Sequence, residues 1–273
     1  MSFTPVVPMS GYAGWTFLQR TMDKQKDAFD SSATMQRDEA YFREKIGNVR
    51  TAEDLVSDRR LLKVALGAFG LDGDINNSFF IRKVLEEGTT EKSALANRLS
   101  DKTYRALSEA FGFDNAKAPE TTKTGFADKI LSRYSDKQFE AAVGEQNTSM
   151  RLALNAQREL GELVKKDSSD LTKWYTVLGS EPLRQVMQTA FNLPTAFASI
   201  DLDQQVRQIQ DKFDSLMGTE SLSTLSDPKQ MDKLLKRFLT MSQITESANT
   251  VTSPTLQILQ SGGSASNILS ILR

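Results

Sequence analysis

SDKQFEAAVGEQNTSMRLALNAQRELGELVKK, residues 135–166, decides the fold class. Phe139, Val143, Met150, Leu154, Leu160 and Val164 keep roughly to one stripe at helical spacing, the pattern of a helix that buries one face. Ser135 or Asp136 suits the first cap, and Lys165 and Lys166 suit the negative end of the helix dipole. Read as one helix over 135–165, the segment would be roughly 45 Å long and would brace the whole molecule. Gly144 and Gly161 are its weak points.

Working outward, caps and apolar stripes predict helices over 12–30, 34–46, 51–69, 77–87, 90–98, 101–112, 124–133, 168–178, 181–191, 202–217 and 227–242. Pro182 and Pro228 fall in first turns, where the missing amide donor costs nothing. Alternating, strand-like runs are scarce, so the fold class is all-α, a multi-helix domain with one long bracing helix.

Three of these helices end alike. ALGAFGLD (65–72), ALSEAFGFD (106–114) and VMQTAFNLP (186–194) each close on Ala-Phe followed by Gly or Asn and a large apolar residue. Gly70, Gly112 and Asn192 fit left-handed C-terminal caps, with Leu71, Phe113 and Leu193 packing back on the last turn. Shared starts at Ser57-Asp58, Ser100-Asp101 and Ser180-Glu181 make an internal duplication of a helical unit a candidate feature, weighed against chance recurrence of good capping chemistry. The chain then divides into an N-terminal segment 1–33, a helical core 34–242 and a C-terminal segment 243–273. Within the core, halves 34–133 and 150–242 would be joined by the helix 135–165. Pro, Gly and Ser near the start, and Ser, Thr and Gly in 243–267, predict partly flexible ends. Those ends also carry Trp15, Phe17, Leu18, Leu256, Leu259, Ile268, Leu269 and Leu272. Such side chains either fold onto the core or serve as partner-binding anchors.

Composition excludes more chemistry than it suggests. The 273 residues include no Cys and no His, which removes thiol nucleophiles, disulfides, the usual zinc sites and any imidazole base. A balance of 34 Lys and Arg against 35 Asp and Glu leaves no overall field to hold a nucleic-acid backbone. No apolar run approaches the length of a membrane span, and Pro5 and Pro8 interrupt the start where a cleaved signal would need a continuous apolar stretch. The expected location is cytoplasmic, or outside the cell by a route without a cleaved signal.

LDGDINNSFF, residues 71–80, imitates a calcium loop, with Asp72, Asp74 and Asn76 at its first, third and fifth places. Its sixth place is Asn77 where Gly is needed, and its twelfth is Lys83, a cation where the metal wants two oxygens. A turn leading into a helix is the better reading. No phosphate-binding glycine loop occurs. The paired acids Glu86-Glu87 and Asp201 with Asp203 read as helix-end charges, and Arg37, Arg43, Arg50, Arg59 and Arg60 read as partners of the acids interleaved with them. Trp174 and Tyr175, followed by Val177 and Leu178 at helical spacing, read as core. No catalytic, cofactor-binding or metal-ligating residue emerges.

TMQRDEAYFREKIGNVRTAEDLVSDRRLLKVALGAFGLD (34–72), followed by IRKVLEEG and LANRLSDKTYRALSEAFGF, resembles an alphaproteobacterial helical family of unknown function often encoded among flagellar genes. The likeness covers most of 34–242 and rests on cap and core residues, so it carries no site assignment. It implies an association with the flagellum as an exported structural or accessory component; with no catalytic residue in the sequence, the expected function is a non-enzymatic structural or interaction protein linked to flagellar assembly or motility, with flagellar proteins as partners. The alternatives are a cytoplasmic export chaperone or adaptor and, less favoured, an enzyme or small-ligand binder that works without His or Cys.

Overall fold

A computed structural model describes residues 3–114 and 119–251. Thirteen α-helices and no strand occur among the described residues. They are α1 (Gly11–Asp30), α2 (Ala33–Lys45), α3 (Ala52–Ser57), α4 (Arg59–Gly67), α5 (Ser78–Glu87), α6 (Leu95–Arg98), α7 (Thr103–Phe111), α8 (Phe126–Gly144), α9 (Thr148–Leu163), α10 (Asp170–Gly179), α11 (Glu181–Ala190), α12 (Leu202–Met217) and α13 (Pro228–Val251).

The all-α expectation holds, but the 135–165 helix does not exist as a single rod. It is divided between α8 and α9 by a turn at Glu145–Asn147, next to the suspected weak point Gly144. Asn147 is extended (φ −154°), and its side chain accepts the Met150 amide at 2.9 Å, which starts a new helix. Folding the two helices against each other lets Phe139, Val143, Met150, Leu154 and Leu160 enter one core. A stripe that would lie along one rod therefore serves equally well on the facing sides of a helical hairpin. Ser135 and Asp136 cap nothing, because α8 runs through them from Phe126. Ser135 instead donates to Asp30 at 2.6 Å and Asp136 pairs with Lys26, fastening α8 to α1.

The bracing role survives in a shorter helix. Phe126, Ile130, Leu131 and Tyr134 of α8 belong to one buried cluster with Phe42, Leu55, Leu62, Leu66, Leu107 and Phe111. Phe139 and Val143, further along the same helix, belong to a second with Trp15, Trp174, Val186, Phe213, Leu234 and Phe238. Phe29, at the end of α1, packs against both clusters and meets the Phe139 ring edge-on at 5.7 Å.

Two further boundaries move. The 51–69 stretch breaks at Asp58, whose carboxylate accepts the Arg60 and Leu61 amides at 2.9 and 3.1 Å and restarts the chain as α4. Thr51 and Asp54 form a reciprocal capping box on α3. Of 90–98, only α6 is helical. The common stop rule holds: Gly70, Gly112 and Asn192 have φ of 73°, 60° and 51°. The Leu71 amide returns to the Leu66 carbonyl at 3.0 Å and the Leu193 amide to the Gln188 carbonyl at 2.8 Å, the long bond of a Schellman end.

Part of the N-terminal segment is fastened to the helices, whereas residues 252–273 of the C-terminal segment lie outside the described residues. Gln25 accepts the Val6 amide at 2.6 Å and donates to the Val6 carbonyl at 3.2 Å, and Gln146 donates to the Pro5 carbonyl. The extended chain crosses α1 so closely that a Cβ on Gly14 would collide with the Met9 carbonyl. At the other end α13 continues past the expected stop at 242 to Val251.

Candidate functional site

Trp15 and Leu18 lie on the inner face of α1, 2% and 0% exposed. Burying side chains of this size contributes about 2–3 kcal/mol each, so they anchor the N-terminal segment to the core and are not accessible to a partner. Phe17 is half-buried. Leu256, Leu259, Ile268, Leu269 and Leu272 lie outside the described residues. Trp174 is core, as its spacing predicts: it is fully buried and its indole N–H donates to the Glu220 carbonyl at 3.0 Å.

The five tyrosines are engaged with acidic side chains. All five tyrosine hydroxyls donate to an aspartate: Tyr12 to Asp232, Tyr41 to Asp58, Tyr104 to Asp74, Tyr134 to Asp38 and Tyr175 to Asp203, at 2.5–3.0 Å. For Tyr12, Tyr41 and Tyr175 the hydrogen bond to the carboxylate is the main reason the phenol stays protonated above its ordinary range. For Tyr104, burial and then the Asp74 bond push the pKa up to about 12. Burial, with Asp38 beside it, raises Tyr134 further still.

Lys137 and Glu140 of α8 face Asn155, Arg158 and Glu159 of α9 in a half-buried network. Arg158 donates to Glu140 at 2.8 Å and to Glu159 at 3.2 Å, and Lys137 reaches Glu159 at 3.2 Å. Burial pushes the Glu159 carboxyl up, but Lys137 and Arg158 more than offset this and hold it below its ordinary value. Burial likewise disfavours the Arg158 cation, and Glu140 reverses the effect. These ions neutralise one another and hold the hairpin together.

The calcium-like stretch is a turn. Asp72 accepts from Gln138 at 2.8 Å, Asp74 from the Asn77 amide group at 2.7 Å, and Asn76 from Arg59 at 3.0 Å. Of the clustered acids, Asp201 caps α12 through the Asp203 and Gln204 amides, and Glu86 and Glu87 pair with Arg82 and Lys83 one turn away.

Two hollows remain. One, about 260 Å³ between α1, α2 and α8, is lined by Lys26, Asp30, Glu39, Arg43 and Ser135 among others. Its charges are paired internally, Lys26 with Asp136 and Arg43 with Glu39 and Asp128. The other, about 450 Å³ beside α4, is lined by Arg59, Arg60, Lys63, Leu66, Asp72 and Ile75. Of the five arginines expected to pair with neighbouring acids, only Arg43 does so among the described residues. Arg59 bonds only the neutral Asn76, while Arg60 donates to the Arg37 carbonyl at 3.2 Å and lies 3.8 Å over the Tyr41 ring. The signal available in the sequence was two adjacent cations in the first turn of a helix, the end where they are least welcome.

Fold and site together define an all-α protein in which several phenols and ion pairs join one helix to another. The chain belongs to the family described as "Protein of unknown function (DUF1217)", whose model matches residues 68–231. It is also similar to an Agrobacterium tumefaciens protein known from an X-ray crystal structure, with 29% identity over 89% of this chain and 99% of that one, at a TM-score of 0.71. No curated protein matches the chain.

Proposed function

We propose that this chain is a non-enzymatic helical interaction protein acting in flagellar assembly or motility, with its partners drawn from flagellar components. The observation that carries the non-enzymatic part is the commitment of all five phenols to aspartates, together with the self-neutralised network of Lys137, Glu140, Arg158 and Glu159. A general acid or base needs a group free to exchange its proton with a substrate, and these groups hold one another. The docking part rests on the end of the molecule where both terminal segments meet. Gly11 of α1 abuts Gln243 of α13, Ser149 donates to Glu246 at 3.0 Å, and Val6, Met9 and Ile244 stand 52%, 49% and 56% exposed in those segments. The exposed apolar side chains of these adjoining segments are the candidate contact surface. The flagellar part follows from the resemblance carried by residues 34–72.

The test is to follow the protein through cytosol, culture supernatant and purified flagella in normal and export-deficient cells. Recovery with flagella, lost when export is blocked, is the expected result. Retention in the cytosol bound to an export substrate would replace it with the chaperone reading, and absence from every flagellar fraction and complex would end the flagellar assignment. In purified protein, the amides of residues 3–10 and of the last turns of α13 should gain protection from hydrogen exchange when flagellar extract is added.

A further inference from the structure

The reversal between α8 and α9 is confined to very little chain. Glu145 keeps helical angles (φ −61°, ψ −27°), and the Asn147 amide still bonds the Val143 carbonyl at 3.0 Å, as in an unbroken helix. Regular bonding resumes where the Arg151 amide returns to the Asn147 carbonyl at 3.2 Å. A continuous helix needs only the amides of Thr148, Ser149 and Met150 to turn back on Gly144, Glu145 and Gln146; the Met150 amide bonds the Asn147 side chain instead. The residue that departs from helical angles is Asn147, extended at φ −154° and ψ 107°. The apolar stripe ignores the break: Phe139, Val143, Met150 and Leu154, all buried, hold the spacing of one helix face across it. The polar seam straddles the turn almost symmetrically, with Lys137 and Glu159 22 residues apart and Glu140 and Arg158 18 apart. Contacts arranged in this way about one reversal are reproduced by two straightened chains lying antiparallel about a two-fold axis near Asn147.

We propose that this chain pairs with a second copy of itself by exchanging the two sides of the hairpin. Asn147 takes helical angles, α8 and α9 fuse into one rod, and the part of each copy after the turn packs on the part of the other before it. The partner is fixed by the contacts already present, since the surface that α8 needs is α9 as it stands in the single chain. The seam bonds of Arg158 with Glu140 and of Lys137 with Glu159 are kept, now between copies. The Asn147 cap on Met150 is surrendered, and main-chain bonds through the turn replace it. The rod exists only in the pair, because a single opened chain bares Phe139, Val143, Met150 and Leu154 to water. This self-association goes beyond the flagellar reading and does not depend on it.

The test uses the full chain, refolded from urea at micromolar to millimolar concentration and sized by light scattering after gel filtration. A dimer should appear, and its share should rise with the refolding concentration. Asn147→Ala, which removes the cap and favours the helix, should raise the dimerisation constant by about tenfold or more. Thr148→Pro should abolish the dimer: proline is accepted at the first position of α9 and keeps Asn147 extended, whereas inside a rod it breaks the helix. Circular dichroism checks the fold of both variants. The chain has no Cys, so spin labels on Lys129→Cys and Glu162→Cys, both at exposed positions, can be placed in the Asn147→Ala chain and diluted into unlabelled copies. The separation within one chain should be about 50 Å in the dimer, the length of the rod between them, and much shorter in the monomer. A parent that stays monomeric at every concentration, an Asn147→Ala variant no more dimeric than the parent, or a folded Thr148→Pro variant that dimerises like it would overturn the proposal. A dimer whose intrachain distance stays that of the hairpin would do the same, because the copies would then be joined through their outer surfaces. Should Thr148→Pro not fold, the label distance in Asn147→Ala decides alone.

Discussion

A buried phenol beside an aspartate costs little while it keeps its proton and a great deal once it must lose it. Tyr134 is the extreme case, 2% exposed and donating at 3.0 Å to an Asp38 that also holds Lys63. Its folded pKa is raised above the ordinary value of 10.0. The native state therefore keeps a proton that the unfolded chain releases, so the contribution is complete below pH 10 and is lost as pH rises beyond it. Unfolding free energy measured by urea titration should fall above about pH 10, and Tyr134→Phe should fall less steeply there. Near neutral pH the same substitution should cost about 1.5–3 kcal/mol, the worth of a hydrogen bond to a charged acceptor. At the acid end, burial pushes Asp58 up, but the Tyr41 hydroxyl and the Leu61 and Arg60 amides hold it below its ordinary range, so its contribution is complete above the ordinary aspartate pKa and is lost as pH falls through the lowered one. None of the phenol pairs was legible in the sequence. Tyr134 and Asp38 are 96 residues apart and Tyr12 and Asp232 are 220 apart, and a pair of polar residues at such separations leaves no periodic trace. The arginines of the hollow beside α4 left a faint one, which a count of neighbouring acids conceals.

Among the elements, sequence pattern specified the helices well where local chemistry governed their ends. The 202–217 helix starts on the Asp201 cap and stops at the left-handed Gly218, and the three Ala-Phe ends obey one rule. Pattern failed at α8 and α9 because an apolar stripe records which side faces the core and not whether the axis reverses. The deciding residue is Asn147, a weak helix former that accepts the extended backbone of the turn and caps α9. Asn147→Ala should lower the unfolding free energy by about 1 kcal/mol, as loss of an N-cap does; a gain in stability would instead indicate that a continuous rod is accessible. The ionic seam between these helices gives a second prediction. Glu140→Leu alone should cost about 3 kcal/mol, because it leaves the Arg158 guanidinium half-buried without its closest carboxylate. Adding Arg158→Met should recover most of that loss, since an apolar pair of similar volume removes the stranded charge. Recovery in the double variant would identify the seam as an element that sets pairing and adds little net stability; failure to recover would show that the network itself stabilises the hairpin.

For the whole molecule, the question is whether two buried clusters behave as one folding unit. They share α8, which crosses from Tyr134 in one to Phe139 in the other, and Phe29, which packs on both. The Lys26 pair with Asp136 and the Ser135 bond to Asp30 fix α1 beside that crossing, so the apolar contact is held in register by polar ones. Both tryptophans, Trp15 and Trp174, lie in the second cluster, so their fluorescence reports that cluster alone, whereas far-ultraviolet circular dichroism reports helices in both. In the parent protein the two signals should follow one urea transition, the signature of a single cooperative unit. Phe29→Ala removes the shared ring and leaves each cluster's own interior intact. It should cost about 2–3 kcal/mol, somewhat below a fully buried Phe because Phe29 is only partly enclosed. The loss should fall on the coupling between the clusters, so the fluorescence midpoint should separate from the circular dichroism midpoint, and the latter curve should broaden. Coincident transitions in the variant, merely shifted to lower urea, would mean that the continuous backbone of α8 transmits cooperativity without the aromatic contact.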